Sequence, residues 1–519
     1  MVTHLETEVL VIGCGIAGGV AALQLADSGI PVTVITRTQE PQESNTYYAQ
    51  GGIIYEGRND SPELLAEDVI RAGAGQNNSR SVNILAKQGP TLVREILLDR
   101  VGVHFDQNGQ GLSLAREGGH SIPRIIHAAD ATGKAISTAL VEALQRHPNV
   151  TLLSGYTAID LLMSNLHLDK PSSRSPRCIG AYLLDQATGE VAPCLAKQTI
   201  LATGGLGQVF WRTTNPIGAR GDGVAMAHRV GAQIIDMEYV QFHPTTFYHP
   251  QGWAFLISEA VRGAGARLVN ANGEPFMQRY APEWLDLAPR DIVSRSIHQE
   301  MMIYGVPNVY LDLATYISPQ QIRRRFPNIY AQCLQFGVDI TRDLVPVSPA
   351  AHYACGGVAV DSWSQTTVKG LLAAGEVACT GLHGANRLAS TSLLEGMVWG
   401  YRSAHYVQRQ LSRSSLPQFA KVRPYSSTNL PLPDSEQIDQ LMQEIKCLMW
   451  HQVGLVRETT GLEQALARLE TLSLSVESLV RQHRPTDQLA GLRNVGQVAQ
   501  LITTAALHSE VGVGCHYRV

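Results

Sequence analysis

The segment Glu8-Val9-Leu10-Val11-Ile12-Gly13 is a continuous apolar run that ends on glycine, the pattern of a parallel strand buried on both faces. Alanine and leucine dominate the next stretch, from about Gly18 to Ser28, and predict a helix. A second apolar run, Val32 to Thr36, predicts the next strand, so the chain opens as the first unit of a doubly wound sheet. Two more strand-like runs, Gln198 to Thr203 and Gly370 to Gly375, lie far downstream. If both rejoin the first sheet, the chain between them is partly an insertion. From about Asp236 to Pro349 the texture changes to dense aromatics, histidine and proline, which predicts a second, α+β domain covering the first. Ser412 to Pro433 is rich in serine and proline and reads as a linker. Beyond it, residues 435 to 508 place apolar side chains at helical spacing, such as Leu441, Ile445, Leu448 and Met449, then Leu462, Leu466 and Leu469. They predict a short helical bundle. A low-complexity patch near Pro171 to Pro176 reads as a surface loop.

Composition narrows the classes. At about 150 residues per domain, 519 residues suggest roughly three domains. Lys plus Arg number 41 and Asp plus Glu 45, a net charge of −4, which argues against a protein that coats nucleic acid or anionic membrane. Hydrophobic residues at 44% against 17% charged permit a sizeable core. The eight cysteines are scattered, with no Cys-x-x-Cys pair and no metal-ligand spacing, so a reduced cytoplasmic protein without a metal is expected. The N-terminal Met-Val-Thr-His-Leu-Glu-Thr-Glu carries two acids and is no secretion signal. No apolar run reaches the ~18 residues of a membrane helix. Insertion into a membrane is not expected, although docking to a membrane subunit stays open.

Gly13-Cys14-Gly15-Ile16-Ala17-Gly18 matches G-x-G-x-x-G between a strand and a helix. Gly13 allows the turn, Gly15 lets a pyrophosphate approach the backbone, and Gly18 lets helix and strand pack closely. An acid usually ends the second strand to take a ribose hydroxyl. Here the strand ends Thr36-Arg37, which alone would hint at NADP. Three further clusters weigh against a nicotinamide cofactor: Ser44-Asn45-Thr46-Tyr47-Tyr48-Ala49-Gln50-Gly51-Gly52, Ala202-Thr203-Gly204-Gly205, and Ala374-Gly375-Glu376. A long flavin dinucleotide has adenine, ribitol and ring system enough to use all of them, so FAD is expected.

Together these segments resemble, over nearly the whole chain, the flavoprotein family of succinate dehydrogenases, fumarate reductases and L-aspartate oxidases. The resemblance implies a Rossmann-like α/β FAD-binding domain in two parts, residues 1–237 and 351–411. It also implies an inserted α+β capping domain at 238–350, a linker at 412–433 and a C-terminal helical domain at 434–519. It adds Asp222, Ser392 and Leu393 to the expected cofactor contacts. Membrane-linked members carry, at the segment aligned with Ser44-Asn45-Thr46, a histidine that holds FAD covalently. Asn45 stands there, and an amide is no nucleophile, so FAD is expected to bind non-covalently.

Four motifs in the second half resemble the family's dicarboxylate pocket: Gln241-Phe242-His243-Pro244-Thr245, Ala288-Pro289-Arg290-Asp291, Ala351-His352-Tyr353, and Ala385-Asn386-Arg387. Glycines near His352 and Arg387 suggest backbone close to a ligand. An arginine's planar fork suits a carboxylate. The resemblance implies that His243, His352 and Arg387 hold substrate, that Ser258 and Glu259 stand at a substrate carboxylate, and that Arg290 transfers the proton. Since free guanidinium titrates above about 12, the alternative of Arg290 as a second electrostatic clamp stays open. Arg116-Glu117-Gly118-Gly119 resembles the aspartate-oxidising branch, in which an acid like Glu117 meets the substrate's ammonium. Succinate-oxidising relatives lack it.

The activity implied is FAD-dependent oxidation of L-aspartate to iminoaspartate, with oxygen or fumarate as electron acceptor, opening NAD synthesis. Hand-over of the product to quinolinate synthase follows from the same resemblance, and the chain is expected to act as a monomer or weak homo-oligomer. Two alternatives remain: a soluble fumarate reductase or succinate dehydrogenase flavoprotein, and a flavin-binding scaffold with impaired catalysis. The second is motivated by the tail, where the family's Ser-Arg-Gly step before a histidine is replaced by Ser509-Glu510-Val511-Gly512-Val513-Gly514-Cys515-His516-Tyr517-Arg518. The arginine is absent, and Val519 falls short of where relatives run.

Overall fold

The computed structural model describes residues 5–109, 111–169, 176–250, 255–413, 422–425 and 430–519. Residues 171–175 of the low-complexity patch, and much of the serine- and proline-rich segment, lie outside them.

The strand Leu5–Ile12 sits inside the main sheet between two parallel neighbours, Val32–Thr36 and Val191–Leu201. Val150–Ser154 extends the parallel set beyond Val32–Thr36, and Leu371–Ala373 pairs in parallel with Val191–Leu201. Both downstream runs therefore rejoin the first sheet. The antiparallel strands Cys178–Asp185 and Tyr156–Met163 complete the other side. The strand expected from Gln198 begins earlier, at Val191, because its first half pairs with Cys178–Asp185, a partner the apolar run near Ile200 does not reveal. Val9, Leu10, Val11 and Ile200 are fully buried, as strands covered on both faces require.

One face of the sheet packs on the helices Ile16–Asp27, Thr132–Arg146 and Thr391–Gln410. The first and last of these meet through glycines. A Cβ on Gly396 would lie 2.9 Å from Ile16 Cγ2, and one on Gly400 would lie 2.4 Å from the Ala17 carbonyl oxygen. That contact brings two helix N-termini to one cleft.

The capping sheet runs in the order Val240–Phe247, Val345–Ala354, Val309–Asp312, Arg267–Val269, all antiparallel. Phe247, Leu268, Phe276, Ile297, Leu311 and Val347 form its core with the helix Arg290–Tyr304. The strand Val345–Ala354 crosses residue 350 and carries His352 near its end. Three helices, Ser435–Gln452, Thr459–Gln482 and Asp487–His508, close the chain on the other side of the main sheet. The last is tied down by charge, since Arg220 donates to Asp222 and Asp487, and Arg229 donates to Asn494 at 2.8 Å. Among the described residues, no helix is long and apolar enough to cross a membrane.

Candidate active site

One continuous cleft runs from the first glycine turn to the boundary with the capping sheet. At one end Gly13 adopts φ +115°, and a Cβ there would lie 2.1 Å from the Ala202 carbonyl oxygen, so only glycine makes this turn. Gly18 stands behind it, outside the cleft, where a Cβ would meet the Gly13 carbonyl at 2.0 Å. The helix starts at Ile16, ahead of the expected Gly18, with Gly15 as its N-cap residue. The helix N-terminus has no side-chain cap and no acid in its first turn. The Ile16 N–H donates to Thr46 Oγ1 at 3.0 Å.

The rest of the expected cofactor segments, apart from Tyr47 and Gly205, lines the cleft. Arg37 turns its guanidinium to Asp487 at 3.2 Å, while Asp222 is held by Arg220 and Asn494. Asn45 donates to Glu376 Oε2 at 2.9 Å, and the Ala354 N–H donates to Oε1, knitting three segments that are distant in sequence. Burial pushes the Glu376 carboxyl up to about 7. The Thr203 hydroxyl is buried without a partner. A glycine cradle, an uncapped helix end and an unpartnered hydroxyl along one long cleft fit FAD, with its diphosphate at the helix N-terminus.

At the other end the cations gather. Arg290, the first residue of its helix, donates from Nε to Glu259 Oε2 at 2.7 Å and from NH1 to Gln241 Oε1 at 3.1 Å, leaving NH2 unused. Glu259 Oε1 accepts from the Gly118 N–H at 2.8 Å, and Arg262 lies 3.7 Å away. Burial alone would raise the Glu259 carboxyl, but Arg290, Arg262 and these hydrogen bonds overcome it and hold it at about 2. Glu259, expected at a substrate carboxylate, lines the cleft with both oxygens engaged by Arg290 and the Gly118 N–H. Ser258 was expected beside it, and its hydroxyl accepts from the Ala260 N–H while its own N–H donates to Gln50 Oε1.

His243 Nδ1 accepts from the Thr245 N–H at 3.2 Å, which puts the proton of the neutral ring on Nε2, an atom with no partner. Burial, then Arg290 and His352, push His243 well below 6.5. His352 lies 4.9 Å from it, ring to ring, with Nδ1 2.7 Å from the Thr214 hydroxyl. It too is pushed well below 6.5, by burial and then by Arg290 and Arg387. Arg387 donates to Ser392 at 3.1 Å and lies 4.5 Å over the Tyr353 ring, with Nε unpartnered. Glu117 is buried here as well, accepting from Ser390 Oγ at 2.7 Å. Burial and the nearby Glu259 raise its pKa against that hydrogen bond. Neutral imidazole donors and two guanidinium groups around an acid suit a small molecule carrying two carboxylates and a cation.

A family model for an FAD binding domain matches residues 8–393. L-aspartate oxidase 1 of Ralstonia nicotianae is 42% identical over 513 residues, which cover 98% of this chain and 94% of that one. The L-aspartate oxidase of Acinetobacter baylyi is 40% identical, with 99% and 93% covered. The chain belongs to the L-aspartate oxidases. A chloroplastic L-aspartate oxidase of Oryza sativa is 41% identical over 98% of this chain and 81% of its own. Among solved structures, the quinol fumarate reductase FrdA of E. coli superposes with a TM-score of 0.89 at 26% identity, covering 100% of this chain and 92% of that one. The Mycobacterium smegmatis Sdh1 complex gives 0.80 at 29%, covering 99% and 89%.

Several residues that shape this L-aspartate oxidase pocket carry no sequence signal of their own. Gln241 joins Arg290 to Asn386 and to the Arg387 carbonyl, Thr214 orients His352, and Ser390 reaches Glu117. The altered tail still docks on the Arg387 loop. The Cys515 N–H donates to the Ala385 carbonyl at 2.9 Å, Arg295 donates to the Gly514 carbonyl at 2.9 Å, and Arg457 meets His516 at 2.7 Å.

Proposed function

We propose that this pocket oxidises L-aspartate to iminoaspartate, and that the roles fall as follows. When bound, FAD supplies the hydride acceptor; the glycine turn at Gly13 and Gly15, Thr46, Thr203, Glu376 and the helix start at Ser392 and Leu393 would hold it without a covalent bond. Arg387 and His352 take one substrate carboxylate. His243 Nε2–H and the spare NH2 of Arg290 take the other. Glu117 meets the ammonium and separates an amino dicarboxylate from succinate. Glu259 aims Arg290, and Arg290 carries the proton when fumarate is the acceptor. Fixed cations in a water-poor chamber supply most of the transition-state stabilisation.

The observation that carries the reading is a buried carboxyl, Glu117, placed among cations that would otherwise favour any dicarboxylate. It also favours the oxidase over a soluble fumarate reductase. The docked tail favours an active enzyme over an impaired scaffold. Iminoaspartate hydrolyses in water, so hand-over to quinolinate synthase is part of the proposal. Oxygen uptake by the FAD-loaded protein tests the reading: L-aspartate should drive it and succinate should not, and uptake with neither would return the scaffold.

A further inference from the structure

The long helix Thr391–Gln410 begins in a way that its own stability does not explain. Ser390 holds the position where a serine ordinarily turns its hydroxyl back onto the helix N–H groups, yet it makes no such bond. Its backbone is left-handed, φ +57°, a conformation that L side chains avoid. The hydroxyl is spent instead on Glu117 Oε2, at 2.7 Å. Among the described residues, no other side-chain hydrogen bond reaches Glu117, which is only 2% exposed, and no cation is bonded to it. Its second oxygen faces Gly51, where a Cβ would stand 2.8 Å from Oε1 and 3.7 Å from the Ser390 hydroxyl. A backbone that gives up both a helix cap and a relaxed conformation for one contact is the mark of a functional constraint.

We propose that Ser390 and Gly51 are a specificity-determining pair: Ser390 fixes Oε2 of Glu117, and the missing side chain at Gly51 keeps Oε1 free for the ammonium of an α-amino dicarboxylate. Ser390 acts through Glu117 and is a positioning residue. This rests on the reading that Glu117 meets the substrate ammonium. Without the serine hydroxyl the carboxylate loses its one donor among the described residues and its fixed direction. A methyl at Gly51 displaces it outright. The change at Ser390 leaves the groups that hold carboxylates in place, so fumarate, which has no ammonium, is handled as before.

The test uses the FAD-loaded protein and measures KM for L-aspartate by oxygen uptake and KM for fumarate by oxidation of a reduced dye. Ser390→Ala and Ser390→Gly should each raise KM for L-aspartate about tenfold, the scale of a hydrogen bond to a charged group, and leave KM for fumarate in place. Their thermal unfolding should diverge, since glycine relieves the left-handed backbone and alanine does not. A stabilised Ser390→Gly enzyme with weakened aspartate binding is a combination that a merely structural serine does not produce. Gly51→Ala, checked for full flavin content, should raise KM for L-aspartate as well. If Glu117→Gln raises KM for L-aspartate while the Ser390 variants do not, or if they raise both KM values together, the pair is overturned and Glu117 keeps its role. If Glu117→Gln itself leaves KM for L-aspartate unchanged, the underlying reading falls and the pair with it.

Discussion

Replacing Arg387 by leucine should separate two quantities that a structural arginine would lose together. Arg387 is 4% exposed, and among the described residues its guanidinium has one hydrogen bond, to Ser392, and pairs with no carboxylate. Burial, then the nearby Arg290, pull its pKa from 12.5 to about 10. At 1.36 kcal/mol for each pH unit, that displacement weighs about 3 kcal/mol against the charged form. A cation whose folded pKa is lowered costs stability at every pH below about 10, and the cost fades only as the pH rises from there toward 12.5. Removing the charge relieves it, so Arg387→Leu should match or exceed the parent protein in resistance to denaturant at neutral pH. A bound carboxylate recovers the same energy in the parent protein. The variant should therefore lose about a hundredfold in affinity, equivalent to about 3 kcal/mol, for L-aspartate, succinate and fumarate alike. Titration calorimetry with succinate and thermal unfolding with and without it provide both readings. A variant that unfolds far more easily, yet keeps most of its succinate affinity, would refute the picture of Arg387 as a buried cation awaiting substrate.

Gly13→Ala should abolish FAD retention in the purified protein, because the added carbon would meet the Ala202 carbonyl at 2.1 Å in a backbone held at φ +115°; absorbance of the purified protein near the flavin band checks it. Glu259→Gln should destabilise the capping domain by about 3 kcal/mol at neutral pH, since the carboxyl is held at about 2 against 4.5 when unfolded. That contribution is present above pH 4.5 and fades as the pH falls toward 2, so denaturation midpoints of parent and variant should converge in acid. With Asn45 engaged by Glu376, acid precipitation should release all flavin to the supernatant, and a yellow pellet would contradict non-covalent binding.

The sequence revealed best what local chemistry dictates. The turn at Gly13, Gly15 and Gly18 and the strands around it follow from residues within one short window, so their positions could be read directly. The pocket's cations were visible as motifs, because arginine and histidine beside glycine are rare combinations. What joins them was not. Gln241 bonds to Asn386 and Arg387, some 145 residues away, and Ser390 meets Glu117 across 273. A glutamine in a strand and a serine before a helix are ordinary until the fold brings their partners to them. Glu259 shows the same limit: its bonds to Arg290 and to the Gly118 N–H come from 31 and 141 positions away. Arg37 was expected at the cofactor, and it lines the cleft while its charge is answered by Asp487, 450 positions on.

Anaerobic reduction of the bound flavin tests the central claim most directly. The oxidised flavin band should bleach on adding L-aspartate and persist with succinate, and Glu117→Gln should blunt the first response while reoxidation of the reduced protein by fumarate continues. Bleaching by succinate alone, or an aspartate response indifferent to Glu117→Gln, would contradict the account.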